Sequence, residues 1–222
     1  MPVQGSLFDH CQRRELGGGA WIEARSGWVN DRAICADTLF EDLMTAVPWR
    51  AERRKMYDRV LDVPRLVSFC DLTTEPAPHP AVARLRRRIN DIYAGELGGP
   101  FTTAGFCLYR DGSDSVAWHG DRVRLPRSAA AGSTGSAGGI PGSGAGRSST
   151  EDTMVAIVSL GATRMFTMRP RGGGSSLRLP QGHGDLLVMG GSCQRTWEHA
   201  VPKTATPTGP RISIQFRPRG VR

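Results

Sequence analysis

Apolar positions in this chain recur with two different periods, and the change falls near residue 100. Asp37–Val47 (D-T-L-F-E-D-L-M-T-A-V) places Leu39, Leu43 and Met44 on one side of a helix. Asp37 is expected to cap it, and Pro48 to stop it. Pro80–Ala94 repeats the pattern, with Val82, Leu85, Ile89, Ile92 and Tyr93 forming a narrow apolar stripe. Arg84, Arg86, Arg87 and Arg88 lie mostly off that stripe, which predicts a solvated basic back. From Phe101 onward the period shortens. Ala104–Tyr109, Ser115–His119, Met154–Leu160, Arg164–Met168, Ser176–Leu179, Asp185–Met189 and Arg211–Arg217 read as short strands divided by Gly, Pro and Asp-Gly turns. An α+β fold, mainly β, follows: helices first, then a sandwich or barrel of short strands.

The same pattern divides the chain. Residues 1–36, with a G-G-G and no sustained period, are expected to form an irregular N-terminal extension. Residues 37–100 form a helical region, 101–217 a β core, and 218–222 a basic tail. Within the core, Ser128–Ser149 is almost entirely Ala, Gly, Ser, Thr and Pro. Such a composition buries too little surface to offset its ordering entropy, which predicts a flexible insertion at 128–149.

Composition narrows the class. At 222 residues and 39% hydrophobic content, the chain fits one globular domain with extensions, expected to act as a monomer. Met154–Leu160 and Leu186–Met189, its longest apolar runs, are far too short to span a bilayer, so no membrane partner is expected. The N-terminus lacks the charged and apolar regions of a secretory signal. Cysteines at 11, 35, 70, 107 and 193 form no C-x-x-C, which points to reduced thiols in the cytoplasm.

The net charge of +8 attracts phosphate backbones. Only Lys55 and Lys203 are lysines, and such an arginine bias can also reflect genome composition. One segment concentrates the charge. Trp49–Phe69 interleaves Trp49, Tyr57 and Phe69 with Arg50, Arg53, Arg54, Arg59 and Arg65. Those residues supply either phosphate contacts and stacking surfaces or a charged cover over the core.

The candidate chemistry lies downstream. His119 and Asp121 form an H-x-D, and i and i+2 of a strand face the same side. With His199 brought beside them, two imidazoles and a carboxylate would hold Fe(II) and leave positions open. A second H-G-D, at His183–Asp185, competes for this role. It lies too close before His199 for an intervening pair of strands, and Asp185 in a turn is suited to local backbone amides. In R-I-S-I-Q-F-R, Arg211, Ser213, Gln215 and Arg217 share one side, while Ile212, Ile214 and Phe216 share the other. An inward arginine is costly unless paired, and a bound dicarboxylate would pair it.

F-C-L-Y-R-D-G-S-D-S-V-A-W-H-G-D, V-S-L-G-A-T-R-M-F, G-D-L-L-V-M-G-G, W-E-H-A-V-P-K and R-I-S-I-Q-F-R together resemble AlkB-like 2-oxoglutarate/Fe(II) dioxygenases. Upstream, P-W, R-x-M-Y and P-R-L resemble that family's nucleotide-recognition region. The resemblance implies a double-stranded β-helix (jelly roll) core with a nucleotide-recognition lid. It assigns His119, Asp121 and His199 to iron. It gives Arg211 to the distal carboxylate of 2-oxoglutarate, Arg217 to the 1-carboxylate end and Tyr109 to a further co-substrate hydrogen bond, with Ser213 on the same inward face. Trp49, Met56, Tyr57, Arg65, Trp118 and Arg122 become candidates for contact with the substrate. With O2, such a site would dealkylate N-alkylated bases in DNA, a repair reaction. The same chemistry on RNA, protein or a small molecule stays open, as does a non-catalytic nucleic-acid-binding β domain. Three departures stand out: Cys107 where the family often has Asn, Arg122, Val123 and Arg124 where repair enzymes often carry acidic residues, and the low-complexity insertion at 128–149.

Overall fold

The computed structural model describes residues 11–30, 33–56, 59–96, 99–121 and 152–221. Two antiparallel sheets face each other. The larger contains β1 (Cys11–Gly17), β2 (Ala20–Arg25), β3 (Arg50–Met56), β4 (Arg59–Asp71), β5 (Phe101–Tyr109), β7 (Val155–Gly161), β10 (Leu186–Gly191) and β12 (Arg211–Pro218). Their spatial order is β1-β2-β10-β7-β12-β5-β4-β3. The smaller sheet runs β6-β11-β8-β9, from β6 (Val116–His119), β8 (Arg164–Pro170), β9 (Leu177–Gln181) and β11 (Trp197–Val201). Helices α1 (Ala36–Ala46) and α2 (Pro80–Tyr93) cover the outer face of the large sheet, and the short α3 (Cys193–Thr196) precedes β11.

Two cores result, and strand alternation sorts residues between them. Ala156, Val158 and Leu160 of β7 join Leu39 and Leu43 of α1 and Val82, Leu85 and Ile89 of α2 in the core under the helices. Val155 and Ile157 join Phe166, Met168, Leu187 and Met189 between the sheets. A strand buried on both faces reads as a continuous apolar run, and β7 and β10 do so. β12 departs from this rule. Ile212, Ile214 and Phe216 enter the helix-side core, but its other face is polar.

Four local expectations need correction. Residues 11–25 are not irregular but form the β1–β2 hairpin, turned at Gly17–Gly19, all with positive φ. That conformation is open to glycine at no steric cost. The polar Q-R-R-E of β1 hid the strand because an edge strand has little to bury. Glu23 of β2 is buried and accepts from Arg13, Arg25 and the Tyr93 hydroxyl (2.6 Å). Cys35, not Asp37, occupies the N-cap of α1, with no side-chain cap bond. Asp37 sits in the first turn instead, where a carboxylate suits the helix dipole. The basic back of α2 is solvated only in part, with Arg84 and Arg87 exposed but Arg86 and Arg88 half-buried. Arg84 donates to the Ala33 carbonyl (2.9 Å), and Arg88 stacks on Trp28 at 4.4 Å. In the basic tail, Val221 is buried in the inter-sheet core.

Candidate metal centre and co-substrate pocket

β6 and β11 pair antiparallel with His119 directly opposite His199. A turn at Asp111–Gly112 leads into β6, where the Asp111 carboxylate accepts from the Ser113 N–H at 2.8 Å. Asp121 follows two residues after His119. One ligand atom from each of His119, Asp121 and His199 lies within 4.8 Å of the others. The two imidazole centroids are 4.3 Å apart, and Phe166 stacks on His199 at 5.2 Å. His119 Nδ1 lies 2.9 Å from the Ala117 carbonyl. A carbonyl only accepts, so Nδ1 carries the proton and Nε2 keeps its lone pair for a metal.

Protonation agrees with that role. Burial pushes the His199 pKa down to about 3 and also lowers that of His119. Burial works against the Asp121 carboxylate, but the Arg217 guanidinium holds its pKa below the usual carboxylate range. Two neutral imidazoles beside an ionised carboxylate are the forms that bind a divalent ion.

A cavity between the sheets joins this cluster to β5 and β12, lined by His119, His199, Tyr109, Arg211, Ser213 and Arg217. The polar face of β12 therefore looks into a cavity rather than a core. Arg211 is 1% exposed. Its Nη2 donates to Ser159 Oγ at 2.7 Å, and the Tyr109 ring lies 5.2 Å from the guanidinium. Among the described residues, Nε and Nη1 have no hydrogen-bond partner. A buried guanidinium with two idle nitrogens is costly unless an anion pairs it. Burial lowers the Arg211 pKa and pushes the Tyr109 phenol up to about 12. Ser213 Oγ accepts from Gln215 Nε2 at 2.7 Å, and Cys107 Sγ lies 3.8 Å from Gln215 Oε1. The cavity thus has a cationic end at Arg211 and a cluster of possible metal ligands at the histidines.

A wider, mostly apolar groove opens outside this cavity, lined by Val63, Pro64, Ala117, Trp118, Thr167 and Lys203. Arg65, Val116 and His119 border both. Arg65 Nη1 donates to the Ser115 carbonyl at 3.2 Å, while its buried Nε has no partner among the described residues. Trp118 lies partly exposed beneath Arg169, 4.2 Å from guanidinium to ring.

Trp49 does not join the site. It packs against the helix-side core and donates Nε1 to the Met44 carbonyl at 3.2 Å. A large aromatic beside Pro48 found the core under α1 before it found a ligand. Met56 ends β3, where only its backbone is described, and Tyr57, Arg122 and the 128–149 segment lie outside the described residues. The rival H-G-D is structural. Asp185 accepts from the N–H groups of Gly27 (2.8 Å) and Gly182 (2.7 Å), and His183 Nδ1 accepts from that of Gly161. Sequence reading missed two buried residues, Ser159 and Gln194. Ser159 is the hydroxyl in the apolar run V-A-I-V-S-L, a signal that was available. Gln194 carries no such signal, because its partner is a backbone amide.

Comparison with known proteins agrees with this geometry. Residues 145–217 match the 2OG-Fe(II) oxygenase superfamily model. The chain is 32% identical to alpha-ketoglutarate-dependent dioxygenase alkB homolog 3 of Bos taurus over 83% of its own length, and spans 64% of that relative. It is 28% identical to the human DNA oxidative demethylase ALKBH2, covering 92% of this chain and 82% of that one. The structure of OsALKBH1 superposes with a TM-score of 0.55 at 12% identity, over 89% of this chain and 97% of the other, a likeness of fold. With its His-Asp-His cluster and its sequence relatives in accord, the chain is similar over most of its length to the AlkB-like 2OG-Fe(II) dioxygenases.

Proposed function

We propose that this protein is an Fe(II)- and 2-oxoglutarate-dependent dioxygenase that removes alkyl groups from N-alkylated bases in DNA. One observation carries the reading: a buried Arg211 with two idle nitrogens shares a cavity with His119 and His199, which cluster with Asp121. His119 Nε2, a carboxylate oxygen of Asp121 and His199 would hold the iron, and Arg211 would fix the far carboxylate of the co-substrate. When bound, the iron with 2-oxoglutarate and O2 supplies the oxidation of an N-alkyl C–H bond, after which the base is freed and an aldehyde released. The chain's own contribution is placement. Ser159 aims Arg211 along β12, and Arg217 keeps Asp121 ionised and oriented. Phe166, Ile157 and Val116 line the cavity with apolar surface, which limits water at the reacting centre.

The groove beside His119 is where the alkylated base would enter, with Trp118 and Arg65 at its wall. The β3–β4 hairpin, which supplies Val63, Pro64 and Arg65, would act as the recognition lid. Relatives named as a DNA oxidative demethylase, together with the basic charge of the chain, support the DNA assignment.

The test is turnover with Fe(II), ascorbate and 2-oxoglutarate across methylated single- and double-stranded DNA and RNA oligonucleotides. Methylated DNA should lose its methyl group as formaldehyde, and His119→Ala should abolish this. Decay of 2-oxoglutarate without loss of methyl groups from any oligonucleotide would overturn the substrate and leave the chemistry standing.

A further inference from the structure

We propose that Gln194 is a positioning residue for the metal centre, fixing the main chain of Asp121 so that its carboxylate meets the two histidines. This rests on the reading of His119, Asp121 and His199 as a metal site. β6 ends at His119, so no strand pairing holds Asp121. Two groups do. Arg217 takes the carboxylate from one side, and Gln194 Oε1 accepts the Asp121 backbone N–H at 3.1 Å.

Gln194 is built for that task. It is 3% exposed and lies on α3, directly ahead of the strand that carries His199. A backbone N–H must meet an oxygen, which fixes the side-chain amide, and Nε2 then faces Met189 Sδ at 3.8 Å. Its own carbonyl accepts from Arg171 Nη2 at 3.1 Å, and the Arg171 backbone N–H donates to the Thr196 carbonyl at 2.8 Å. The Arg171 guanidinium and the carbonyls of Gln194 and Trp197 close around Gly120, where a Cβ would collide with the guanidinium. The segment from Gly120 to Asp121 is therefore seated on the turn that launches His199. Gln194 couples the ligand just beyond β6 to the ligand on β11, and groups that orient a metal ligand in this way typically affect affinity by about 10- to 100-fold.

The experiment uses the full chain with Co(II) alone, reading both the dissociation constant and the visible d–d spectrum. Gln194→Leu keeps the bulk and removes the acceptor, and Gln194→Glu keeps an acceptor oxygen. Gln194→Leu should weaken Co(II) binding about 10-fold or more and alter the spectrum. Gln194→Glu should stay within about 3-fold of wild type with the wild-type spectrum, a small fraction of that loss. Thermal melts of the metal-free proteins separate folding from binding, and Gln194→Met replaces the leucine variant if that one does not fold. Wild-type affinity and spectrum in Gln194→Leu would overturn the proposal, as would a loss in Gln194→Glu equal to that in the leucine variant. Failure of the wild type itself to bind Co(II) would instead remove the metal reading on which the proposal rests.

Discussion

Arg217 grips Asp121 with two hydrogen bonds of 3.1 Å, Nε to Oδ2 and Nη2 to Oδ1. Both side chains are largely buried, at 16% and 4% exposed. Breaking such a pair from one side strands a charge, at a cost of about 3 kcal/mol. Arg217→Met should lower the stability of the metal-free protein by about that amount in urea unfolding. Added Mn(II) should restore part of it, because the ion supplies the missing positive charge. An unchanged midpoint would mean the pair contributes nothing.

Arg211 should behave in the opposite way. It is a buried cation with two idle nitrogens, so Arg211→Met removes an uncompensated charge. The variant should be at least as stable as wild type without ligand. Its 2-oxoglutarate affinity should fall about 100-fold, the worth of two charge-assisted hydrogen bonds. Melting curves with and without 2-oxoglutarate report both effects, and a normal ligand-induced shift in the variant would rule out the clamp.

Ser159 acts through Arg211, so its effect should be smaller and confined to binding. Ser159→Ala removes a hydrogen bond that anchors Nη2. A loss of about 1 kcal/mol corresponds to a rise in KM for 2-oxoglutarate of about 5-fold, with kcat nearly unchanged. A fall in kcat with constant KM would contradict this placement.

The cysteines should label in a fixed order. Cys35 is exposed at the start of α1, and the nearby amide and hydroxyl of Thr38 hold its thiol below the ordinary value. Burial pushes Cys193 up to about 12. At pH 7 the thiolate fraction, and hence the alkylation rate, should be far higher at Cys35. Raising the pH toward 9 should raise the Cys35 rate until its thiol is ionised and leave Cys193 inert. Mass spectrometry after brief iodoacetamide treatment measures the order, and early labelling of Cys193 would refute it.

How much of this was legible beforehand depended on periodicity. The strands carrying Tyr109 and Arg211 showed themselves because one of their faces, or both, meets a core. The choice between two H-G-D motifs was decidable because Asp185 binds the amides of its own turn and Gly27, as turn aspartates do. The β1–β2 hairpin stayed hidden because its Q-R-R-E edge strand buries little, and its one buried acid, Glu23, reads as surface charge. Trp49 misled for a related reason, since an aromatic among arginines suits a ligand and a core equally well. Gln194 could not be read at all, as no pattern announces a side chain bonded to a distant backbone amide.

The two faces of β12 impose one more condition. Ile212, Ile214 and Phe216 anchor the helix-side core, and Arg211, Ser213 and Arg217 alternate with them toward the cavity. Between β7 and β5 the strand is locked on both edges. A slip of a single residue would drive Arg211 into hydrocarbon and turn Ile212 toward the co-substrate. An inserted or deleted residue in this strand therefore has no silent outcome: the reading frame of the fold and the reading frame of the chemistry are the same frame.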